Sequence, residues 1–174
     1  MKKILSILLC IFWMGFIYYN SSQNGTESNG LTYRIVDKLV SISEKIQEKD
    51  ADNIKVYAAP KTVQTSLLKN VLNEDRVSLN KKLRKAAHAF EFFILAILLC
   101  NAFFTWGVKG SKPIIYILFI VLFYAVIDEF HQIYVVGRGS SIKDVLIDFV
   151  GGIIGIVLYY IFYYSIGKIK KKVR

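Results

Sequence analysis

The sequence is poor in cysteine and in the short motifs that mark common enzymes. Its two cysteines, Cys10 and Cys100, each lie inside an apolar run. They form neither a disulfide framework nor a paired metal-ligand spacing, so both are interpreted as small buried apolar residues. No His-Glu-x-x-His string occurs, and Leu31 stands where the glycine spacing of Gly25 and Gly30 would need a P-loop lysine. No internal repeat is evident, which argues against a lone transporter.

A signal-peptidase site is also missing after the first apolar run. Two lysines precede this run, as in a secretory signal, but Tyr18, Tyr19 and Asn20 stand where small residues would be expected. We therefore expect residues 1–20 to remain as an uncleaved membrane anchor.

The chain has apolar sequence in abundance. Of its 174 residues, 54% are hydrophobic, and the mean hydropathy is +0.41. This composition is typical of a polytopic membrane protein rather than a soluble domain. The net charge is +10, but the basic residues flank the apolar runs. That placement suits lipid headgroups, so we expect the lipid bilayer as a partner and no nucleic acid.

Four apolar runs are candidates to cross a bilayer, which takes about 20 helical residues; the first is short, but Trp13 and Tyr18–Tyr19 can extend it into the interface. The runs are Ile4–Tyr19, Ala86–Trp106, Ile114–Val136 and Val145–Gly167. We predict an all-α, polytopic integral membrane protein with four transmembrane helices and a long, partly helical extracytoplasmic loop between the first and the second. The predicted parts are a first transmembrane helix at 1–20, a loop with amphipathic helices at 21–85, a three-helix membrane core at 86–167 and a basic cytoplasmic tail at 168–174.

Two helices are predicted inside the long loop. Apolar residues recur at three- and four-residue steps from Leu31 to Asp50, which indicates an amphipathic helix. A second, short helix is expected after Pro60, and Asn80 is expected to cap the helix of the second span. Neither loop helix carries a catalytic constellation, so both are interpreted as scaffold or lid.

The distribution of basic residues predicts the orientation. Nine lysines and arginines lie in the two termini and in the link between the second and third spans. Only Arg138 and Lys143 lie in the short loop on the opposite side. Basic residues concentrate on the cytoplasmic side, so both termini are expected there. The Lys81–Lys85 cluster departs from this rule.

Polar residues in three of the spans have helical spacing that brings them together. The three sets are Arg84, His88 and Glu91; Asp128, His131 and Gln132; and Asp144 with Asp148. Successive spans cross in opposite directions, so all three sets lie near the same end of the bundle. A charged side chain in hydrocarbon costs about 2.5–3.5 kcal/mol on insertion scales, which favours a functional interpretation. We expect one polar pocket there, with Glu129 and Arg138 included.

Several segments resemble the VanZ-like membrane proteins. They are RKAAHAFEFFILA (84–96), YAVIDEFHQIYVVGR (124–138), DVLIDFVGGIIG (144–155) and, earlier, IYYNSSQNGTES (17–28). They cover the membrane part of the chain in order, whereas residues 31–79 carry no matching motif. That family is named for a protein that raises resistance to teicoplanin-type glycopeptide antibiotics, and it brings no established reaction. The resemblance implies a multi-pass protein of the bacterial cytoplasmic membrane with a role in resistance.

Two functional hypotheses follow for the polar pocket. In the first, it binds a glycopeptide antibiotic or a lipid-linked cell-wall ligand at the outer membrane face, through Arg84, Gln132, Arg138 and Asp148. In the second, the protein is a hydrolase or transferase that acts on a lipid-linked cell-wall precursor. The acid–base groups of that enzyme would be His131, Asp128, Glu129, His88 and Glu91.

Two further interpretations of the same residues stay open. No cofactor is required by either hypothesis, but two histidines with carboxylates could hold zinc or manganese. Alternatively, the groups pair with one another and fix the helices, for example as Arg84–Glu91 or His88–Asp128. The pair Gly151 and Gly155 is interpreted as a close helix contact rather than a site.

Overall fold

The computed structural model describes the backbone of residues 1–23 and 61–172, together with the single residues 30, 34, 38 and 41. Within the second range, side chains are described for 78–165. These residues form four helices and no strand: α1 (Lys2–Ser22), α2 (Lys61–Thr105), α3 (Lys112–Gln132) and α4 (Ile142–Lys172). The amphipathic helix predicted over 31–50 lies outside the described residues.

Each helix contains a segment that is long and apolar enough to cross a membrane. The segments are Lys2–Ser22, Ser78–Thr105, Lys112–Gln132 and Ile142–Ser165, with mean hydropathies from 1.7 to 2.3. The predicted all-α architecture with four membrane spans is therefore confirmed for the described part of the chain. The chain divides into two compact units, one of Met1–Gly25 with Lys85–Arg174 and one of Thr26–Arg84.

The helix of the second span begins earlier than expected. α2 starts at Lys61, directly after Pro60, and continues without a break to Thr105. The prediction that a separate helix starts at Asn80 is wrong. Neither glycine nor proline occurs between Lys61 and Thr105, so nothing in the backbone chemistry of this stretch interrupts the hydrogen-bond ladder.

The third span ends earlier than expected. α3 ends at Gln132, although the apolar sequence continues to Val136. After Gln132 the backbone forms turns with hydrogen bonds between residues i and i+3. Tyr134 N donates to His131 O at 3.0 Å, and Arg138 N donates to Val135 O at 3.1 Å. As a result, Asp128 to Gln132 form the last turn of the helix.

Glycines set the spacing of α4 against the other helices. A Cβ added to Gly151 would lie 2.1 Å from Ala89 O of α2, and one added to Gly155 would lie 2.5 Å from Phe93 O. Both helix backbones therefore approach as closely as the predicted small-residue pair allows. On another side of α4, a Cβ on Gly152 would lie 2.5 Å from Val121 Cγ1 of α3.

The first unit is packed around a continuous apolar core. Its buried members are Cys10, Ile17, Phe92, Leu95, Ala96, Leu99, Cys100, Ala102, Ile117, Val121, Ala125 and Ile156. Both cysteines are free and buried, as predicted. Large apolar side chains such as Phe12, Phe119 and Phe162 are more than half exposed. This outward apolar surface matches the hydrocarbon of a bilayer.

Candidate functional site

Polar side chains of the first unit gather at one end of its helices. α1 contributes its last turn, the second span contributes residues near its beginning, α3 contributes its last turn and α4 its first two turns. The residues, here called the polar cluster, are Asn20, Ser21, Ser22, His88, Glu91, Asp128, Glu129, His131, Gln132, Arg138 and Asp148. Their position follows from the connectivity, since α1 and α3 end where the spans of α2 and α4 begin.

The innermost part of the polar cluster contains two carboxylates. Asp128 and Asp148 are only 1% and 2% exposed. One side-chain ligand atom from each of these residues and one from His88 lie within 4.8 Å of one another. Such an arrangement of buried ionisable groups is costly, because each charge has been removed from water. It therefore requires hydrogen bonds or counter-charges.

Asp128 has only part of that compensation. Its Oδ2 accepts hydrogen bonds from Ser21 Oγ at 2.8 Å and from Gln132 Nε2 at 3.0 Å. Its Oδ1 is buried and has no hydrogen-bond partner among the described residues. One oxygen of this carboxylate is consequently available to a further donor or cation.

Arg138 ties the loop after α3 to the end of α1. Its Nε donates to Gln23 O at 3.1 Å, and one terminal nitrogen donates to Asn20 O at 3.0 Å. The other terminal nitrogen lies 3.2 Å from His88 Nε2. A guanidinium has only donors, so His88 Nε2 must accept this bond. The proton of the neutral ring is then on Nδ1, which lies 3.3 Å from Glu91 Oε2 without a hydrogen-bonding alignment.

Glu91 joins the second span to α1 through two different atoms. Its Oε1 accepts a hydrogen bond from Asn20 Nδ2 at 2.7 Å, and its main-chain oxygen accepts one from Trp13 Nε1 at 2.9 Å. Its Oε2 is buried and has no hydrogen-bond partner among the described residues. Unlike Asp128 Oδ1, however, this oxygen has a polar atom close by, since His88 Nδ1 lies 3.3 Å from it.

His131 lies in the seam between α1 and α3. Its Nε2 is 2.9 Å from Ser22 Oγ, and its ring centroid is 4.2 Å from that of Tyr18. The neighbours of His131 are therefore residues of α1, whereas His88 lies with Asp128 and Asp148. The two histidines are found at the same end of the helices but have different partners.

Glu129 holds the beginning of α4. Its Oε2 accepts a hydrogen bond from Ser141 N at 2.8 Å, directly before the first residue of that helix. An acidic side chain at a helix N-terminus is stabilising, because it faces the unpaired amide groups and the positive end of the dipole. Lys85 and Asp144 form an ion pair at the same end. The bond from Ser141 N to Glu129 positions the start of α4, the helix that carries Asp148.

The contribution of α1 is the part of the site that the sequence reading missed. Asn20, Ser21 and Ser22 bond to Glu91, Asp128 and His131 in turn. The available signal was the polar run at 20–23, which directly follows an apolar span and lies within the segment 17–28 that resembles the VanZ-like proteins. Arg84 belongs to the unit Thr26–Arg84, and its proposed role in ligand binding stays a prediction.

The fold and the polar cluster together define a multi-pass membrane protein that carries ionisable groups at one end of its helices. The sequence model of the VanZ/LLP1 family matches residues 6–163, which include the second and third spans and most of the first and fourth. The chain belongs to the VanZ/LLP1 family, and the predicted resemblance is confirmed. Neither a curated protein nor a solved structure shows a significant match.

Proposed function

We propose that the protein acts in the bacterial cytoplasmic membrane and contributes to resistance against teicoplanin-type glycopeptides. In this proposal the polar cluster binds the antibiotic or a lipid-linked cell-wall ligand at the outer membrane face. The supporting observation is that four helices bring ionisable and polar side chains to one level of the bundle. Interhelical polar contacts in membranes contribute only about 0.6 kcal/mol each on average. This stabilisation is small compared with the cost of burying carboxylates, so holding the helices together does not by itself explain the polar cluster.

The polar cluster has an inner layer and a rim, and the two suit different roles. Asp128, Asp148 and Gln132 are buried, whereas His131 and Arg138 are half-buried. A ligand that arrives from the membrane surface would contact the rim first. The exposed apolar side chain of Phe130, next to His131 in the rim, provides a surface for the lipid tail of such a ligand.

The outer location of the polar cluster follows from charge. The cluster lies at the end where α3 connects to α4. The basic residues at this end are Arg138 in the connection, Lys143 in the first turn of α4 and Lys85, which is paired with Asp144. The opposite end carries the nine basic residues of the termini and of the link between α2 and α3. Basic residues favour the cytoplasmic side, so both termini are assigned to the cytoplasm and the cluster to the exterior.

Susceptibility measurements combined with direct binding test this proposal. Cells that express wild-type protein, His131→Ala or the control Tyr134→Ala would be compared for teicoplanin susceptibility at equal membrane abundance. His131 contacts Ser22 and Tyr18, whereas Tyr134 is 72% exposed on the next turn. We expect His131→Ala to lose the protection and Tyr134→Ala to keep it.

Binding to purified protein separates the two ligand classes. Labelled teicoplanin and a labelled lipid-linked cell-wall precursor would be titrated onto wild-type protein in detergent. Saturable binding of one of them, weakened by His131→Ala, supports the proposal. The absence of saturable binding for both would contradict it.

One contact favours an enzymatic alternative. Ser22 Oγ lies 2.9 Å from His131 Nε2 and donates its proton to Tyr18 O at 2.7 Å. If the hydroxyl rotated away from Tyr18 O, His131 would be within the distance at which a histidine removes the proton of a nucleophilic hydroxyl. The protein would then hydrolyse or transfer a group of a lipid-linked precursor. In that case wild-type protein would turn the precursor over, and Ser22→Ala would abolish turnover without abolishing binding.

A further inference from the structure

The innermost group of the polar cluster has the composition and the spacing of a cation site. His88 offers one nitrogen, Asp128 and Asp148 offer one oxygen each, and these three atoms lie within 4.8 Å of one another. Ligand atoms on a single ion at about 2.0–2.2 Å are at most about 4.4 Å apart, so small side-chain rotations would close the site. The three residues come from α2, α3 and α4; α4 packs directly on the backbone of α2 and on the Val121 side chain of α3.

The charges around this group also favour a bound cation. Glu91, Asp128 and Asp148 carry three negative charges when ionised, and the guanidinium of Arg138 is hydrogen-bonded to His88. Lys85 is already paired with Asp144. Glu129 is also buried, but it faces the N-terminus of α4 through Ser141 N. Apart from Glu129, three carboxylates and one guanidinium leave two negative charges, which one divalent cation would neutralise. In a low-dielectric interior, an excess of this size is unfavourable.

Unpaired atoms provide a second, independent observation. Asp128 is 1% exposed, and its buried Oδ1 has no hydrogen-bond partner in the described part of the chain. His88 Nδ1 and Glu91 Oε2 are buried without a hydrogen bond as well. Buried polar atoms are satisfied in the large majority of cases. Because His88 Nδ1 and Glu91 Oε2 lie 3.3 Å from each other, a small rotation would pair them. Asp128 Oδ1 is therefore the atom that indicates a missing partner.

We infer that His88, Asp128 and Asp148 bind a divalent cation of the class that includes Zn²⁺ and Mn²⁺. One imidazole with two carboxylates suits these borderline ions better than a site of thiolates or of carbonyl oxygens. Binding through His88 Nε2 would replace the hydrogen bond from Arg138, which keeps its bonds to Asn20 O and Gln23 O. The other ring nitrogen would then donate to Glu91, as ligand histidines commonly do to a carboxylate.

The site differs in kind from the proposed rim for antibiotic or precursor. It lies in the buried layer, and its occupation can be measured with the metal alone. Three protein ligands leave at least one position of a tetrahedral cation open for water or for an anionic group of a ligand. Failure of cation binding would leave the rim proposal intact, and failure of ligand binding would leave the cation site intact.

The test uses the full-length protein purified in detergent and stripped with a chelator. Mn²⁺ would be titrated and followed by loss of its free electron paramagnetic resonance signal, with Zn²⁺ added as a competitor. We expect one Mn²⁺ per chain, displaced by Zn²⁺. Asp148→Asn and His88→Gln should weaken Mn²⁺ binding by at least about tenfold, since even outer partners of ligands have effects of that size.

Asp144→Asn is the matched control. It removes the same charge from the same helix, one turn before Asp148, and its partner is Lys85 outside the site. This variant should bind Mn²⁺ like the wild type. Size-exclusion profiles would show whether each variant is folded. The number of Mn²⁺ ions bound per wild-type chain tests the inference even if a variant fails to fold.

Two results would overturn the inference. One is substoichiometric binding of both Mn²⁺ and Zn²⁺ to wild-type protein, which would mean that the carboxylates are held protonated. The other is unchanged Mn²⁺ affinity in folded Asp148→Asn or His88→Gln, which would place the ion on exposed acidic groups elsewhere.

Discussion

Gly151 is the position where a single methyl group should disturb the packing most. A Cβ there would lie 2.1 Å from Ala89 O, a backbone atom that cannot rotate away. Relief to the 3.4 Å of ordinary contact requires α4 to recede from α2 by about 1.3 Å. Asp148 precedes Gly151 by one turn and His88 precedes Ala89 directly, so the same movement would widen the polar cluster.

The change in the free energy of unfolding that Gly151→Ala should cause is set by two opposing effects. Overpacking of this kind costs about 1–3 kcal/mol. Replacing glycine by alanine inside a helix stabilises the folded protein by about 0.5–1 kcal/mol, because alanine loses less backbone entropy on folding. Gly15 of α1 provides a control, because a Cβ there would meet no atom within 4 Å. Both variants share the helix gain, so the stability of Gly15→Ala minus that of Gly151→Ala should be about 1–3 kcal/mol.

Reversible unfolding in mixed detergent micelles measures this difference. The fluorescence of Trp13 and Trp106 reports on the contact of α1 with the second span, since Trp13 bonds to Glu91 O and Trp106 to Lys3 O. We expect Gly151→Ala to unfold at lower denaturant and Gly15→Ala at the wild-type level or higher. Equal stability of the two variants would refute the close approach of α4 to α2.

Two further outcomes are expected. Tyr124→Phe removes the hydrogen bond from the hydroxyl to Met14 O and should lower the free energy of unfolding by about 1 kcal/mol. Tyr116→Phe is the control, because the Tyr116 side chain is 60% exposed, and it should have no effect in the same unfolding assay. Ser140→Cys, in the connection between α3 and α4, should react with a membrane-impermeant thiol reagent added to intact cells. Ser111→Cys, directly before α3, should react only after permeabilisation. The reverse pattern would contradict the proposed orientation, with both termini in the cytoplasm.

The spans could be predicted from the sequence because lipid selects for long apolar helices. The ends of the spans could not, as α3 shows. Residues 133–136 are as apolar as a membrane segment, yet their backbone turns at Gln132. Hydropathy reports which solvent a residue prefers and does not report the direction of the chain. Likewise, the uninterrupted course of α2 past Asn80 was marked only by the lack of glycine and proline.

The polar cluster was partly visible for a related reason. Helical spacing and span direction place His88, Asp128 and Asp148 at one end, and the structure brings one ligand atom of each within 4.8 Å. The role of Asn20 and Ser21 was not visible. They are uncharged and typical of turns, and their bonds to Glu91 and Asp128 depend on where α1 packs. No periodicity within a single helix contains that information.

The bonds of Arg138 have a consequence for biogenesis. The last carbonyls of any helix have no partner within it, and at the end of α1 they are capped by a guanidinium, which also suits the negative end of the helix dipole. The cap comes from a residue 115 positions after Gln23. During translation the leading helix therefore enters the bilayer long before its own terminus can be closed. α1 is synthesised before the other three described helices, but its C-terminal carbonyls are capped only once Arg138 has been synthesised.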